Sequence, residues 1–472
     1  MSNHLFDAFR AGMPQPERLL METDDGRSIT YGDMLAQSAQ LAHALLQLGV
    51  EPGDRVAVQV EKSPEAVLLY LACLRAGAVF LPLNTAYTLT ELEYFFGDAE
   101  PRLVVCDPAR AADIGTLAER SGAVAVTLGG NGEGSLLDQA SRRSSDFRDV
   151  VRGPDDLAAI LYTSGTTGRS KGAMLSHENL ASNARVLVDQ WRFTATDVLI
   201  HSLLPRATAL MGVPTFYVRL LQQDGLNRQA AKNIRLFVSG SAPLLAETHK
   251  AWRERTGHSI IERYGMTETN MNTSNPYDGE RRAGTVGFPL PGVALRIADP
   301  ESGETLAQGE VGMIEVKGPN VFGGYWRMPE KTKAEFREDS FFITGDLGLI
   351  DADGYVHIVG RGKDLIISGG YNIYPKEVES EIDALPGVAE SAVIGVAHPD
   401  FGEGVTAIVV RTPASTITAA EIVGAIAGRL AKFKHPKQVI FVDELPRNTM
   451  GKVQKNLLRE TYKELYAPAK AG

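Results

Sequence analysis

Apolar residues recur in two rhythms from Arg55 onward. RVAVQV at 55–60, VFLPL at 79–83 and RLVVCD at 102–107 are short runs of strand length, whereas PEAVLLYLACLRAGA at 64–78 and ELEYFFGDA at 91–99 space their apolar residues along one helix face. Strands alternating with helices predict a mostly parallel α/β sheet covered by helices. The pattern resumes with DLAAILYTS at 156–164, a glycine-rich loop and the helical HENLASNARVLVDQW at 177–191. It continues with IRLFVSGSA at 234–242, the helix LAETHKAWRERTG at 245–257 and the strand SIIERYG at 259–265.

From about Gly284 the texture changes. GVALRIADP, GMIEVKG, FFITGDLGLID and GYVHIVGR are short strands punctuated by Gly, Pro and Asp, which predicts a small β-rich subdomain at about 284–361 inside an N-terminal domain spanning 1–362. After Arg361-Gly362-Lys363-Asp364 comes a compact unit: the helix PKEVESEIDAL, strands AESAVIGVA and VTAIVVR, the helix TAAEIVGAIAGRLA, and QVIFVDEL. It reads as a separate α+β domain, 363–472. The fold class expected is therefore α/β, with packed mixed sheets in a large N-terminal domain and a small C-terminal domain.

Composition narrows the function. A chain of 472 residues exceeds the size at which one core keeps growing, so several buried cores are expected. Cys73 and Cys106 lie in apolar stretches, as buried thiols of a reducing compartment do, rather than in a disulfide framework. No apolar run has the length of a membrane span and MSNHLFDAFRAGM lacks a signal-peptide pattern, so a soluble, cytoplasmic protein is expected. A net charge of −10 opposes a nucleic-acid surface. That charge falls entirely before Lys363, because thirteen Lys+Arg balance thirteen Asp+Glu from there on. Within the last part Arg429, Lys432, Lys434, Lys437, Arg447, Lys452, Lys455, Arg459 and Lys463 meet only Asp443, Glu444 and Glu460, which suits either a solvated surface or a lid whose cations meet bound phosphates.

The chemistry concentrates in Thr163-Ser164-Gly165-Thr166-Thr167-Gly168-Arg169-Ser170-Lys171. This loop follows an apolar strand and precedes a helix, a context in which backbone N–H groups can point at phosphate oxygens. Gly165 and Gly168 permit a tight path, Ser164, Thr166 and Thr167 add hydroxyl donors, and Lys171 adds a positive charge. It is not a Walker loop, in which lysine follows the second glycine directly.

With its YTSGTTGxxKG signature the chain resembles the adenylate-forming superfamily of acyl-CoA synthetases, nonribosomal peptide adenylation domains and luciferases. Further blocks appear in that family's order: Ser239-Gly240-Ser241-Ala242-Pro243, Tyr264-Gly265-Met266-Thr267-Glu268, Thr344-Gly345-Asp346, Gly360-Arg361-Gly362-Lys363-Asp364 and Pro446-Arg447-Asn448-Thr449-Met450-Gly451-Lys452. The resemblance implies ATP, Mg²⁺ and CoA as reactants and cofactor. Ser241, Ala242 and Pro243 would line the adenine pocket, with Tyr264 against the base and Gly265, Met266 and Thr267 beside it. Asp346 and Arg361 would take the ribose. Glu268 and Thr167 would hold Mg²⁺, and Thr163, Lys171, Glu268 and Lys452 would serve catalysis, Lys452 by stabilising charge as a carboxylate attacks the α-phosphate. The C-terminal domain would be mobile, turning about Lys363 and Asp364 to open a path for CoA beside Ser368, Gly369 and Gly370.

The runs GVPTFYVR at 212–219 and ERYGMTETNMNTS at 262–274 resemble malonyl-CoA synthetases, which implies malonate as the acid. A dicarboxylate needs a cation for its unreactive end, and Arg219 and Arg263 are the pair expected to supply it. One departure stands out. Where relatives carry a histidine-containing segment followed by a helix and a strand, Pro205 alone joins DVLIHSLL to RATALMGV. His201 sits at the end of a strand-like run and is expected to be structural. Another small acid such as methylmalonate, or an adenylate-binding protein without turnover, therefore stay open as alternatives. Loss of a strand and helix is expected to uncover apolar surface and backbone edges.

Overall fold

The computed structural model describes residues 3–163, 170–200, 207–242, 244–369, 371–448 and 451–466. Its first sheet has six strands in the order Val124–Thr127, Leu103–Cys106, Arg55–Gln59, Val79–Pro82, Leu157–Thr163 and Lys171–Ser176. All neighbours run parallel except the last pair, which is antiparallel and sets Thr163 opposite Lys171. The glycine-rich loop, expected to lead into a helix, leads instead into the strand Lys171–Ser176, because the chain turns back to pair with Leu157–Thr163 before the helix His177–Gln190 begins. The helices Tyr31–Gln47 and Pro64–Ala76 cover one face and Leu89–Ala99 and Ala111–Arg120 the other, each face sealed by its own apolar cluster. Helix starts follow local chemistry: Thr30, Thr88 and Ser176 each close a capping box, and Ser63 accepts from Ala66 N before Pro64.

A second six-stranded sheet runs Phe288–Pro289, Asn270–Ser274, Ile261–Met266, Leu236–Ser239, Ala209–Gly212 and Leu199–Ile200. The last four strands are parallel, and helices Pro214–Leu221 and Ala246–Thr256 follow two of them. The β-rich region is a four-stranded antiparallel sheet, Ala294–Ala298, Gly312–Lys317, Phe342–Ile350 and Val356–Arg361. A last sheet pairs the long strands Val388–His398 and Gly402–Arg411, with Gln438–Val442, Ile366–Ser368 and Tyr371–Ile373 around them, and packs on helices Pro375–Asp383 and Ala419–Ile426. Cys73 and Cys106 are free and buried. Among the described residues no helix is long and apolar enough to cross a membrane.

The edge at Leu199–Ile200 shows the shortened connection. Leu199 pairs with Ala209 and Ile200 with Leu210 in parallel, although only residues 201–208 separate the strands, where a crossover of about a dozen residues is usual. His201 and Pro205 lie outside the described residues. Both shoulders are pinned: Thr208 N–H donates to Val198 O, Thr208 Oγ1 donates to Asp197, and Arg235 Nε donates to Asp197 at 2.7 Å. Leu199 on this edge strand and Phe216 and Val218 on the helix Pro214–Leu221 are exposed at 42%, 51% and 39%.

The N-terminal helix His4–Ala11 is tied across the molecule. Asn3 Nδ2 donates to Leu74 O and Val150 O, and Leu5 N–H donates to Nδ1 of the fully buried His177 at 3.3 Å. The His177 proton therefore sits on Nε2, which has no partner. Burial lowers this imidazole from 6.5 to about 4, so between those values the unfolded chain binds more protons than the folded one. The contribution of neutral His177 is present above pH 6.5 and shrinks as pH falls toward 4, by about 3 kcal/mol in all. Urea-unfolding midpoints should fall more steeply over that window in the native chain than in His177→Gln.

Candidate active site

The carboxyl ends of parallel strands meet where two sheets adjoin, the usual place for a ligand in open α/β sheets. Leu236–Ser239 ends in the turn Gly240-Ser241-Ala242, and Ile261–Met266 runs into Thr267 and Glu268. Ser241 adopts a left-handed φ of 69° and presents itself, with Ala242, to solvent. Gly240 leaves room for Arg263: a Cβ there would lie 2.5 Å from the Arg263 Nε. Gly265 is equally forced, since a Cβ would meet Asn270 O in the tight return between the two strands. Ser164, Gly165, Thr166, Thr167, Gly168, Pro243 and Gly370 fall outside the described residues.

Asp346 is the best-held group. Only 4% exposed, its carboxylate accepts from the Tyr264 hydroxyl at 2.6 Å and pairs with Arg361 Nε at 2.8 Å. Strands Phe342–Ile350 and Val356–Arg361 set that pair up, because Asp346 and Arg361 are register partners. Burial pushes the Asp346 carboxyl up, while Arg361, the Tyr264 bond and Lys452 oppose it. Tyr264 is itself buried, its ring packed in the cluster that holds Ala173, Leu175 and Tyr325.

Glu268 is 6% exposed and, among the described residues, its side-chain hydrogen bonds come from neutral hydroxyls: Thr163 Oγ1 at 3.3 Å and Tyr325 Oη at 3.1 Å. No Lys or Arg forms an ion pair with it among the described residues. A buried carboxylate with hydroxyl neighbours and no bonded cation fits a hard divalent ion such as Mg²⁺. Lys171, read as a charge on the glycine-rich loop, is buried and bonded to Glu335 at 3.3 Å, with its ammonium 4.7 Å from the centre of the Tyr325 ring. Tyr325 and Glu335 escaped the sequence reading. They are separated from their partners by 57 and 164 residues, and no local spacing marks them.

Lys452 reaches the same place from the C-terminal sheet's side. Its loop is set by Asn448, whose carbonyl accepts from Gly451 N–H and whose Oδ1 accepts from Lys452 N–H, and by Arg447, which bonds Gly451 O and pairs with Glu390. The side chain keeps a solvent-open flank, yet loss of water lowers its ammonium below the ordinary lysine value. Arg361 adds to the shift and Asp346 and Glu268 oppose it, so the charges of both sheets converge on one ammonium.

The model for AMP-binding enzymes matches residues 9–205 and 205–326, and that for the AMP-binding enzyme C-terminal domain matches residues 377–452. The chain belongs to the AMP-binding enzyme family. The ATP-bound MatB from Rhodopseudomonas palustris is 59% identical with a TM-score of 0.96, over 99% of this chain and 100% of that one. The malonate–CoA ligase of Arabidopsis thaliana is 32% identical over 98% of this chain and 91% of that protein. The feruloyl-CoA synthase of an Amycolatopsis species is 36% identical over 93% and 94%. The two pieces of the AMP-binding match meet at residue 205, the junction where the sequence departs from its relatives.

In this AMP-binding enzyme Arg263 has no acidic partner among the described residues. Its one bond is to Ser241 Oγ at 3.3 Å, its buried Nε has none, and burial lowers its pKa. Arg219 lies on helix Pro214–Leu221 and is exposed. Lys363 is exposed in a turn at 362–364, whereas Asp364 is held by Arg459 at 2.6 Å. Ser368 is buried and Gly369, with φ 59°, returns the chain. Replacing Asp346 with Ala strands the Tyr264 hydroxyl and should lower unfolding stability by about 2 kcal/mol, against about 1 kcal/mol for Tyr264→Phe, both read from urea denaturation.

Proposed function

We propose that this chain makes malonyl-CoA from malonate, ATP and CoA through a malonyl-adenylate. A malonate oxygen attacks the α-phosphorus and pyrophosphate leaves; the CoA thiol, losing its proton, then attacks the acyl carbon and AMP leaves. The observation that carries the choice of acid is Arg263, a desolvated guanidinium beside the Gly240–Ala242 turn with no acidic partner among the described residues, which a second carboxylate would pair. An aryl acid offers no such charge. The 59% identity to MatB and the malonate–CoA ligase relative support the same reading.

The residues divide the work as follows. Ser241, Ala242 and Tyr264, with Gly265, Met266 and Thr267, take the adenine, and Asp346 with Arg361 takes the ribose hydroxyls. Thr163 and Lys171 face the phosphates. Glu268 would hold Mg²⁺, which when bound neutralises phosphate oxygens. Lys452 stabilises charge during attack on phosphorus. Arg263 and Arg219 bind the far carboxylate. Residues 1–362 act as the platform, and residues 363–472 turn about Lys363 and Asp364 to bring Ser368 and Gly369 to the CoA thiol. The place of work proposed is the cytoplasm, which suits two buried free thiols.

Arg263→Ala and Arg219→Ala should each raise the malonate KM by about tenfold or more while AMP affinity stays unchanged, measured by pyrophosphate release and calorimetry. Lys452→Ala should slow malonate-dependent ATP–pyrophosphate exchange by about a hundredfold and leave the conversion of supplied malonyl-AMP by CoA intact. A second reading, nucleotide binding without turnover, is favoured by the break in the family match at residue 205 and the uncovered Leu199, Phe216 and Val218. Retained ATP binding with no malonate-dependent exchange would establish it.

A further inference from the structure

Glu335 takes no part in the scheme above, yet it sits at the centre of a charged chain behind the site. Its Oε1 accepts from Lys171 Nζ at 3.3 Å and from Lys331 Nζ at 2.5 Å; its Oε2 accepts from the Tyr325 hydroxyl at 2.6 Å. The same hydroxyl lies 3.1 Å from Glu268 Oε1. Four groups are thereby joined in one line, Lys171, Glu335, Tyr325 and Glu268, contributed by the strand Lys171–Ser176, the residue after helix Pro329–Ala334, the preceding loop and the turn after Ile261–Met266.

We propose that Glu335 is a positioning residue: it tethers Lys171 at the phosphate end of the site and, through Tyr325, couples that lysine to the Glu268 carboxylate. This rests on the reading of Lys171 as phosphate-facing. A long ammonium side chain has many rotamers, and its value to a transition state depends on arriving in one. The Tyr325 ring flanks the ammonium and Glu335 fixes its end, which leaves Lys171 a single neighbourhood. Tyr325 owns one hydroxyl proton and faces two carboxylates. The shorter bond goes to Glu335, so Glu268 receives only the weaker contact and keeps its charge available to a cation. Burial works to raise the Glu335 carboxyl, but the bonds from Lys331 and Tyr325 and the charge of Lys171 outweigh it and hold it below the ordinary range. Glu335 therefore stays an anion and an acceptor.

The test combines Glu335→Gln, Glu335→Asp, Tyr325→Phe, Lys171→Ala and the Glu335→Gln/Lys171→Ala double variant in the full chain. Trace acetic anhydride labelling of nucleotide-free protein, read by peptide mass spectrometry, should modify Lys171 several-fold faster in Glu335→Gln, with Glu335→Asp restoring part of the protection. Malonate-dependent adenylation should lose about tenfold in kcat in Glu335→Gln with malonate KM unchanged, and Glu335→Gln should cost nothing further in the Lys171→Ala background. Tyr325→Phe should lower kcat while Lys171 stays protected, because the ring and Glu335 remain. Unchanged Lys171 labelling in Glu335→Gln, or kcat losses that multiply in the double variant, would overturn the proposal. Full kcat in Lys171→Ala would instead overturn the phosphate-facing reading, while the labelling result still reports the tether.

Discussion

A carboxylate removed from water has to be answered by neighbours, and the Asp346 site is organised by that requirement. Tyr264 answers from the mixed second sheet and Arg361 from the neighbouring strand of the antiparallel sheet. The Asp346 contacts therefore lock two sheets of different architecture at fixed spacing. The turn that follows Arg361 leads directly into the C-terminal sheet, and Lys452 returns from that sheet to act on the same charge. One buried anion thus lies at the junction of three layers, and the geometry of the proposed adenylate site follows from keeping it paired.

A second anion, Glu268, is handled oppositely. It is surrounded by hydroxyls that can lengthen or turn without leaving a stranded charge. Such a carboxylate is poised to exchange weak partners for a strong one, whereas Asp346 is built to keep the partners it has. The contrast suits two acids of similar burial to the different tasks proposed for them, a fixed ribose acceptor and an open cation ligand.

Much of this was legible in the residues themselves. The alternation from Arg55 to Gly265 located runs such as Arg55–Gln59, Pro64–Ala76 and Leu236–Ser239 because hydrophobic period is a local property, but it missed the strand Lys171–Ser176, whose place is set by pairing with Leu157–Thr163. The blocks around Tyr264, Asp346 and Lys452 marked groups that the structure does bring together. Pairing across long separations left no such mark. Lys171 read as a loop charge because its partner Glu335 and its flanking ring Tyr325 come from a different part of the chain, joined to it only by the fold. The orphaned Nε of Arg263 was equally invisible, since it depends on Gly240 giving way and on the absence of any acid nearby among the described residues.

At the connection 201–208 the second sheet ends, among the described residues, in the two-residue strand Leu199–Ile200. A sheet margin recruits foreign chains through its row of free amides and carbonyls, and the hold grows with the number of rungs on offer. The two described residues by themselves present a brief ladder for another strand. Apolar side chains at Leu199, Phe216 and Val218 are exposed on this flank, while the described backbone edge beside them offers few rungs, so apolar surface is present there without a long adhesive border among the described residues.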